Sequence, residues 1–303
     1  MFSRLSRGSL DLYLLVAAGL LWGTGGITGR SLADSSGLAP IAVAGYRLLL
    51  GGLLLILYLA ARRTARPRGT VAAGRIVRVA VLAAVFQVAY FSAVSVGTVS
   101  LATLVAIGSS PVFVLIIESV RHRRRPRREQ SAVVVLALFG LALLVGVPAG
   151  SAGLGPTLAC AGLAALSGLT FAFFTVLGRR PLVGLTEVEV TGYGFFLGGL
   201  LLIGLALPIT GIGFAPTGQN IGLVALLAIA PTALGYVLFF TGLRSVHAGT
   251  ATVLALLEPL TGTVLSMIFL GDRLSLVGVL GALLLAASIV ASARAHIEVP
   301  LGQ

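Results

Sequence analysis

Two ionisable side chains stand inside long apolar runs of this sequence: Arg47 within residues 38–60 and Glu258 within 247–270. At helical rise, Arg47 lies about nine residues, roughly 13 Å, from one end of its run. Glu258 lies about ten residues, roughly 16 Å, from the end of its own. Runs of this length cross a bilayer, so both charges fall near mid-membrane. A charge at that depth is costly and is kept where it meets a partner, a substrate or a watery path. The chemistry on offer is recognition: a guanidinium for a carboxylate, and a carboxylate for a cationic amine or a proton. The alternative is that the two pair with each other, or with freed backbone carbonyls, and hold the chain together.

Aromatic and polar residues form a second layer. Gln87, Tyr90, Phe91 and Val94 recur at helical spacing in one run, and Tyr236, Phe239, Phe240 and Leu243 in another, which makes two candidate aromatic walls. Trp22, Tyr46 and Tyr193 are further lining candidates. Ser109, Ser110, Thr232 and Thr261 could bond a polar substrate, although such hydroxyls often bond their own helix. The expected substrate-binding set is therefore Trp22, Tyr46, Arg47, Gln87, Tyr90, Ser109, Ser110, Tyr193, Tyr236 and Glu258. Pro111 and Pro259 stand mid-run. Each removes a backbone donor and frees the carbonyl four residues earlier, at Ile107 and Ala255. Both are expected to interrupt their spans and to turn them toward the bundle interior.

Other chemistry is poorly provided for. One cysteine, Cys160, excludes an intramolecular disulfide and a cysteine-based metal site, and His122, His247 and His296 are far apart, so no metal is expected. No cofactor is expected either. The sequence holds no phosphate-binding loop for ATP-driven pumping and no cluster with catalytic spacing, which argues against an integral membrane enzyme. Glu118, Glu187 and Glu189 adjoin arginines at run ends and are expected at the interface.

The elements that position these groups follow from composition. Of 303 residues, 57% are hydrophobic and 10% charged, with a mean hydropathy of +1.08. That leaves too little polar surface for a soluble domain. Ten spans are expected: 10–31, 38–60, 77–96, 98–120, 130–148, 156–178, 187–208, 219–243, 247–270 and 275–293. All 21 basic residues are arginine. With the N-terminus in the cytoplasm, 18 arginines fall on the cytoplasmic side, only Arg30 and Arg273 fall outside, and Arg47 lies within a span. The positive-inside rule then puts both termini in the cytoplasm of a multi-pass protein of the cytoplasmic membrane. The run Arg121–Glu129 is read as an orienting loop with affinity for anionic lipid, not as a nucleic-acid site. The first span resembles a signal peptide but is too long and is read as retained.

The chain also repeats itself. Gly45 to Ile56 returns as Gly192 to Ile203 with nine of twelve positions identical at an offset of 147. Phe91, Val105 and Pro111 return as Phe239, Val253 and Pro259 at an offset of 148, and each stretch holds a tight reversal, near Gly97-Thr98 or Val246-His247, before a span that contains a proline. Five spans per half make the second copy inverted, so the expected fold is an all-α integral membrane protein of ten helices in two inverted five-helix repeats, residues 1–148 and 149–303. Gly51-Gly52 and Gly198-Gly199 are expected packing surfaces. The charges break the repeat: Arg47 answers to Gly194, and Glu258 to Ser110.

Trp22-Gly23-Thr24, Tyr46-Arg47-Leu48, the reversals leading to Ser110-Pro111 and Glu258-Pro259, and Gly271-Asp272-Arg273-Leu274 occur in an order that resembles the EamA branch of the drug/metabolite transporter superfamily. The last motif has Asp where the family usually has Glu, and its first-half counterpart is replaced by the Arg121–Arg128 run. The resemblance spans the whole chain. It implies ten helices, a central cavity and export of small metabolites, amino acids or drugs. The expected activity is secondary transport of small amphipathic compounds, as export, with proton coupling through Glu258, by a monomer or weak dimer. A multidrug exporter of lipophilic cations using Glu258 is the alternative.

Overall fold

The computed structural model describes residues 7–63, 67–146, 153–180, 182, 184–269, 271 and 273–298. The loop around Pro148, together with Arg4, Arg66 and Asp272, lies outside them. Ten helices among the described residues are long and apolar enough to cross a membrane. In chain order they are α1 (Arg7–Ser36), α2 (Pro40–Ala61), α3 (Thr70–Val96), α4 (Val99–His122), α5 (Arg128–Val145), α6 (Leu154–Gly178) and α7 (Glu187–Ile209). Span eight is composite: α8 (Gly218–Leu227), a π-helical segment (Ala228–Leu234) and α9 (Gly235–Gly242). Span nine is α10 (Ala248–Ala255) and α11 (Leu257–Phe269), and α12 (Leu276–Glu298) closes the chain.

Local chemistry sets the ends. Pro40 opens α2, where a missing N–H costs nothing. The Thr98 and Thr217 hydroxyls cap α4 and α8 by accepting from Leu101 N and Asn220 N. Thr186 and Glu189 form a reciprocal capping box at α7. The reversal at Gly97 seats against α6 so closely that a Cβ there would lie 2.5 Å from the Cys160 sulfur. That is why the cysteine is buried.

Lipid offers no hydrophobic drive between helices, so close approach must come from small residues. α2 packs along α7 and α5 along α12. A Cβ on Gly52 would collide with the Phe196 backbone nitrogen, and one on Gly199 with that of Leu49. The two copies of the twelve-residue match therefore meet each other. α6 packs against α3 and α4, while α1 packs against span eight and α11. α10 meets α4 and α6 at the arginine-rich end, where Val114, Ala172 and Ala248 bury together. α11, by contrast, rests chiefly on α1 and buries none of its residues fully.

Three expectations about the spans are corrected. α4 runs unbroken through Pro111, because the Ser110 hydroxyl donates to the freed Ile107 carbonyl at 2.9 Å. α3 begins at Thr70 rather than 77 and so contains Arg75. That side chain is buried because its guanidinium donates to the Leu177 and Arg180 carbonyls at the end of α6. Span eight is not a uniform helix, since Pro231 sits within its π-helical segment.

Candidate functional site

α1 positions the aromatic part of the site. A Cβ on Gly19 would lie 2.9 Å from the Leu254 carbonyl, and one on Gly23 would lie 3.0 Å from the Glu258 carbonyl and clash with Thr261. This glycine face seats span nine where its helix is interrupted at Leu256, between Ala255 and Leu257. Pro259 cannot bond the Ala255 carbonyl. Glu258, the counterpart of Ser110, offers no hydroxyl to repair the gap as Ser110 does in α4.

Trp22 leaves the same helix toward an aromatic cluster. Its ring lies 4.9 Å from Tyr236, 4.8 Å from Phe239 and 5.8 Å from Phe171. Phe195 meets Tyr236 edge-on at 4.6 Å, and Phe174 meets Phe240 at 4.8 Å. Such tilted and edge-on pairs suit ring quadrupoles. The Trp22 indole nitrogen is buried with no hydrogen-bond partner among the described residues. A small cavity of about 10 Å³, the space of roughly one water, lies among Leu48, Phe86, Gln87, Phe171, Phe195 and Tyr236. A larger occupant must displace rings.

Arg47 and Glu258 flank this cluster. Both lie within electrostatic reach of Tyr236 and of each other, yet no Arg47 nitrogen comes within 4.0 Å of a Glu258 oxygen. Arg47 donates from Nε to the Thr232 hydroxyl at 3.2 Å, its one side-chain hydrogen bond among the described residues. Glu258 is part-exposed and makes neither a hydrogen bond nor an ion pair among them. The pairing alternative of the sequence reading is therefore not the arrangement found. One cation with two free nitrogens and one free carboxylate stand beside an apolar, aromatic surface.

The remaining candidates divide. Trp22, Gln87 and Tyr236 join this site. Tyr90 lies in electrostatic reach of Glu258, but its hydroxyl is engaged with Thr103 at 2.8 Å and its ring with Phe91. It packs with Ala93, Ala102 and Cys160 instead, whereas Gln87 of the same expected wall lines the cavity with Tyr236. Tyr46 is not a lining residue: its hydroxyl donates to the Ile212 carbonyl at 2.8 Å and its ring meets Phe214, which pins the chain between α7 and α8. Ser109 and Ser110 bond their own helix at Ala106 and Ile107. Tyr193 makes no ring contact or side-chain hydrogen bond among the described residues. Sequence reasoning passed over Phe171, Phe174 and Phe195. The three-residue spacing of the first two was the available signal.

The arginine-rich end carries a separate polar belt. Glu118 meets Arg179 at 3.5 Å, Ser245 donates to Asp11 at 2.6 Å, and Arg244 makes a two-point contact with Glu187. The Glu187 bonds hold Arg244 above the ordinary arginine range. Among the described residues no group of three or more His, Cys, Asp or Glu could hold a metal ion.

Comparison with known proteins gives a consistent result. The EamA-like transporter family matches twice, over residues 10–146 and 158–294. The chain is similar to the uncharacterized transporter YwfM of Bacillus subtilis (strain 168), with 31% identity over 88% of this chain and 87% of that protein. It is similar to the uncharacterized inner membrane transporter YicL of Salmonella typhimurium, with 25% identity over 92% and 93% of the two chains. A solved structure superposes with a TM-score of 0.80 over 95% of this chain and 99% of that chain at 19% identity, which establishes a shared fold.

Proposed function

The chain belongs to the EamA-like transporter family and is a multi-pass membrane transporter, and we propose that it exports small amphipathic metabolites, amino acids or related compounds, across the cytoplasmic membrane. The observation that carries this reading is the pair of opposite charges within spans, beside the aromatic cluster, that form no ion pair among the described residues. A zwitterion needs a cation for its carboxylate, an anion for its amine and an apolar surface for its body. Arg47, Glu258 and the Trp22–Tyr236 cluster supply these in turn. The family assignment and the absence of a catalytic cluster in the sequence favour transport over catalysis.

Transport proceeds in this reading by alternating access between two inverted halves, residues 1–148 and 149–303. The two family matches, offset by 148 residues, and the pairing of α2 with α7 and of α5 with α12 support such a repeat. Glu258 is the coupling group, exchanging its proton for the substrate amine. The arginine distribution supports cytoplasmic termini. One specific observation favours a second reading: among the described residues the Glu258 carboxylate has no partner and stands beside an aromatic cluster, which also suits a lipophilic cation. Uptake of amino acids and of lipophilic cations into proteoliposomes, with and without an imposed pH gradient, separates the two. Amino-acid flux that responds to the gradient and is lost in Glu258→Gln supports the first. Cation flux that is indifferent to Arg47→Gln supports the second and sinks the first.

A further inference from the structure

Pro231 lacks the N–H that would bond the Leu227 carbonyl four residues earlier. Span eight widens there into its π turn, and the Thr232 hydroxyl donates to that same carbonyl at 2.7 Å. The Thr232 oxygen also accepts from Arg47 Nε. One buried hydroxyl thus spends its single proton on the π turn and a lone pair on the guanidinium. Gly51, one turn beyond Arg47, makes the approach possible, since a Cβ there would lie 2.8 Å from the Thr232 methyl and 2.9 Å from the Ala228 carbonyl. At the other end of the turn, Gly235 faces the Trp22 indole nitrogen, which lies 2.9 Å from where its Cβ would stand. Each residue advances a helix by ~100°, so the extra residue of a π turn decides which side chains after it face Trp22. Those side chains are Tyr236 and Phe239.

We propose that Thr232 is a positioning residue that couples Arg47 to the aromatic cluster through the π turn of span eight. Holding Nε fixes the guanidinium so that its two remaining nitrogens present a fork, the shape that receives a carboxylate. An anion drawn onto the fork pulls on the oxygen that maintains the turn, and the pull reaches Trp22 and Tyr236. The substrate half of this proposal rests on the reading of Arg47 as the carboxylate contact. The coupling half does not.

Trp22 is the chain's one tryptophan, so its emission reports on the turn. The test uses the full chain in liposomes, without ligand, as wild type, Thr232→Val, Thr232→Ser, Arg47→Gln and the double variant Arg47→Gln/Thr232→Val. Thr232→Val and Arg47→Gln should each shift the emission maximum, the double variant should shift it no further than the larger single change, and Thr232→Ser should keep the wild-type spectrum. Unchanged emission in Thr232→Val, or additive shifts, overturns the coupling. Binding of L-leucine and of isoamylamine, its analogue without the carboxylate, is then compared by Trp22 emission. Thr232→Val should weaken L-leucine about tenfold more than isoamylamine. Equal loss of both would mark a merely structural role and overturn the positioning role. If Arg47→Gln treats the two probes as the wild type does while the shifts stay non-additive, the carboxylate reading falls and the coupling stands. If Arg47→Gln discriminates but the shifts add, the reading stands and the coupling falls.

Discussion

At the residue scale, the informative comparison is between hydroxyls and a carboxylate placed beside prolines. Ser110, just before Pro111, and Thr232, just after Pro231, each donate to the carbonyl that the adjoining proline leaves open, while Glu258 stands before Pro259 and leaves its helix interrupted at Leu256. A serine or threonine always has a proton to give; an ionised carboxylate has none. Glu258→Gln should therefore leave the fold intact and abolish the response of transport to a pH gradient, measured as flux into liposomes. Arg47→Gln should raise the KM for a carboxylate substrate by about ten- to a hundredfold, the worth of one charge-assisted hydrogen bond. Cys160 is fully buried beneath Gly97, so a membrane-permeant maleimide should leave the folded chain unlabelled and react only after denaturation.

At the scale of the element, continuity is a matter of carbonyl satisfaction. Ser110→Ala should leave the Ile107 carbonyl without its bond and cost about 1 kcal/mol, seen as a lowered melting temperature in detergent. Arg75→Gln removes the cation that two carbonyls at the end of α6 share, so it should cost about 1.5–3 kcal/mol in the same assay. The start of α3 and the π turn were not legible in the sequence. An arginine near a span end reads as loop, and only the neighbouring carbonyls of Leu177 and Arg180 make its burial tolerable. A π turn has no periodicity of its own, and Pro231 marked only that something must give.

At the scale of the whole molecule, packing is set by glycine contacts between the halves. Gly52→Val or Gly199→Val should prevent α2 and α7 from docking, read as loss of monodisperse protein on size-exclusion chromatography. The expected topology is tested with single cysteines in a Cys160→Ala background: position 123 should react with impermeant reagent only from the cytoplasmic side, and position 273 only from outside. The sequence by itself determined ten spans, the internal match and the place of Arg47 and Glu258 within their spans, because hydropathy, repetition and residue order are properties of the chain alone. Only tertiary structure decided that the matched segments pack on each other and that Tyr46 serves a loop while Phe171, Phe174 and Phe195 join Trp22 and Tyr236. It alone left Arg47 bound to Thr232, and Glu258 without a side-chain partner among the described residues. Which face of a helix meets which neighbour depends on rotation and crossing between helices far apart in sequence, and in a chain apolar on nearly every face the pattern of side chains does not encode it.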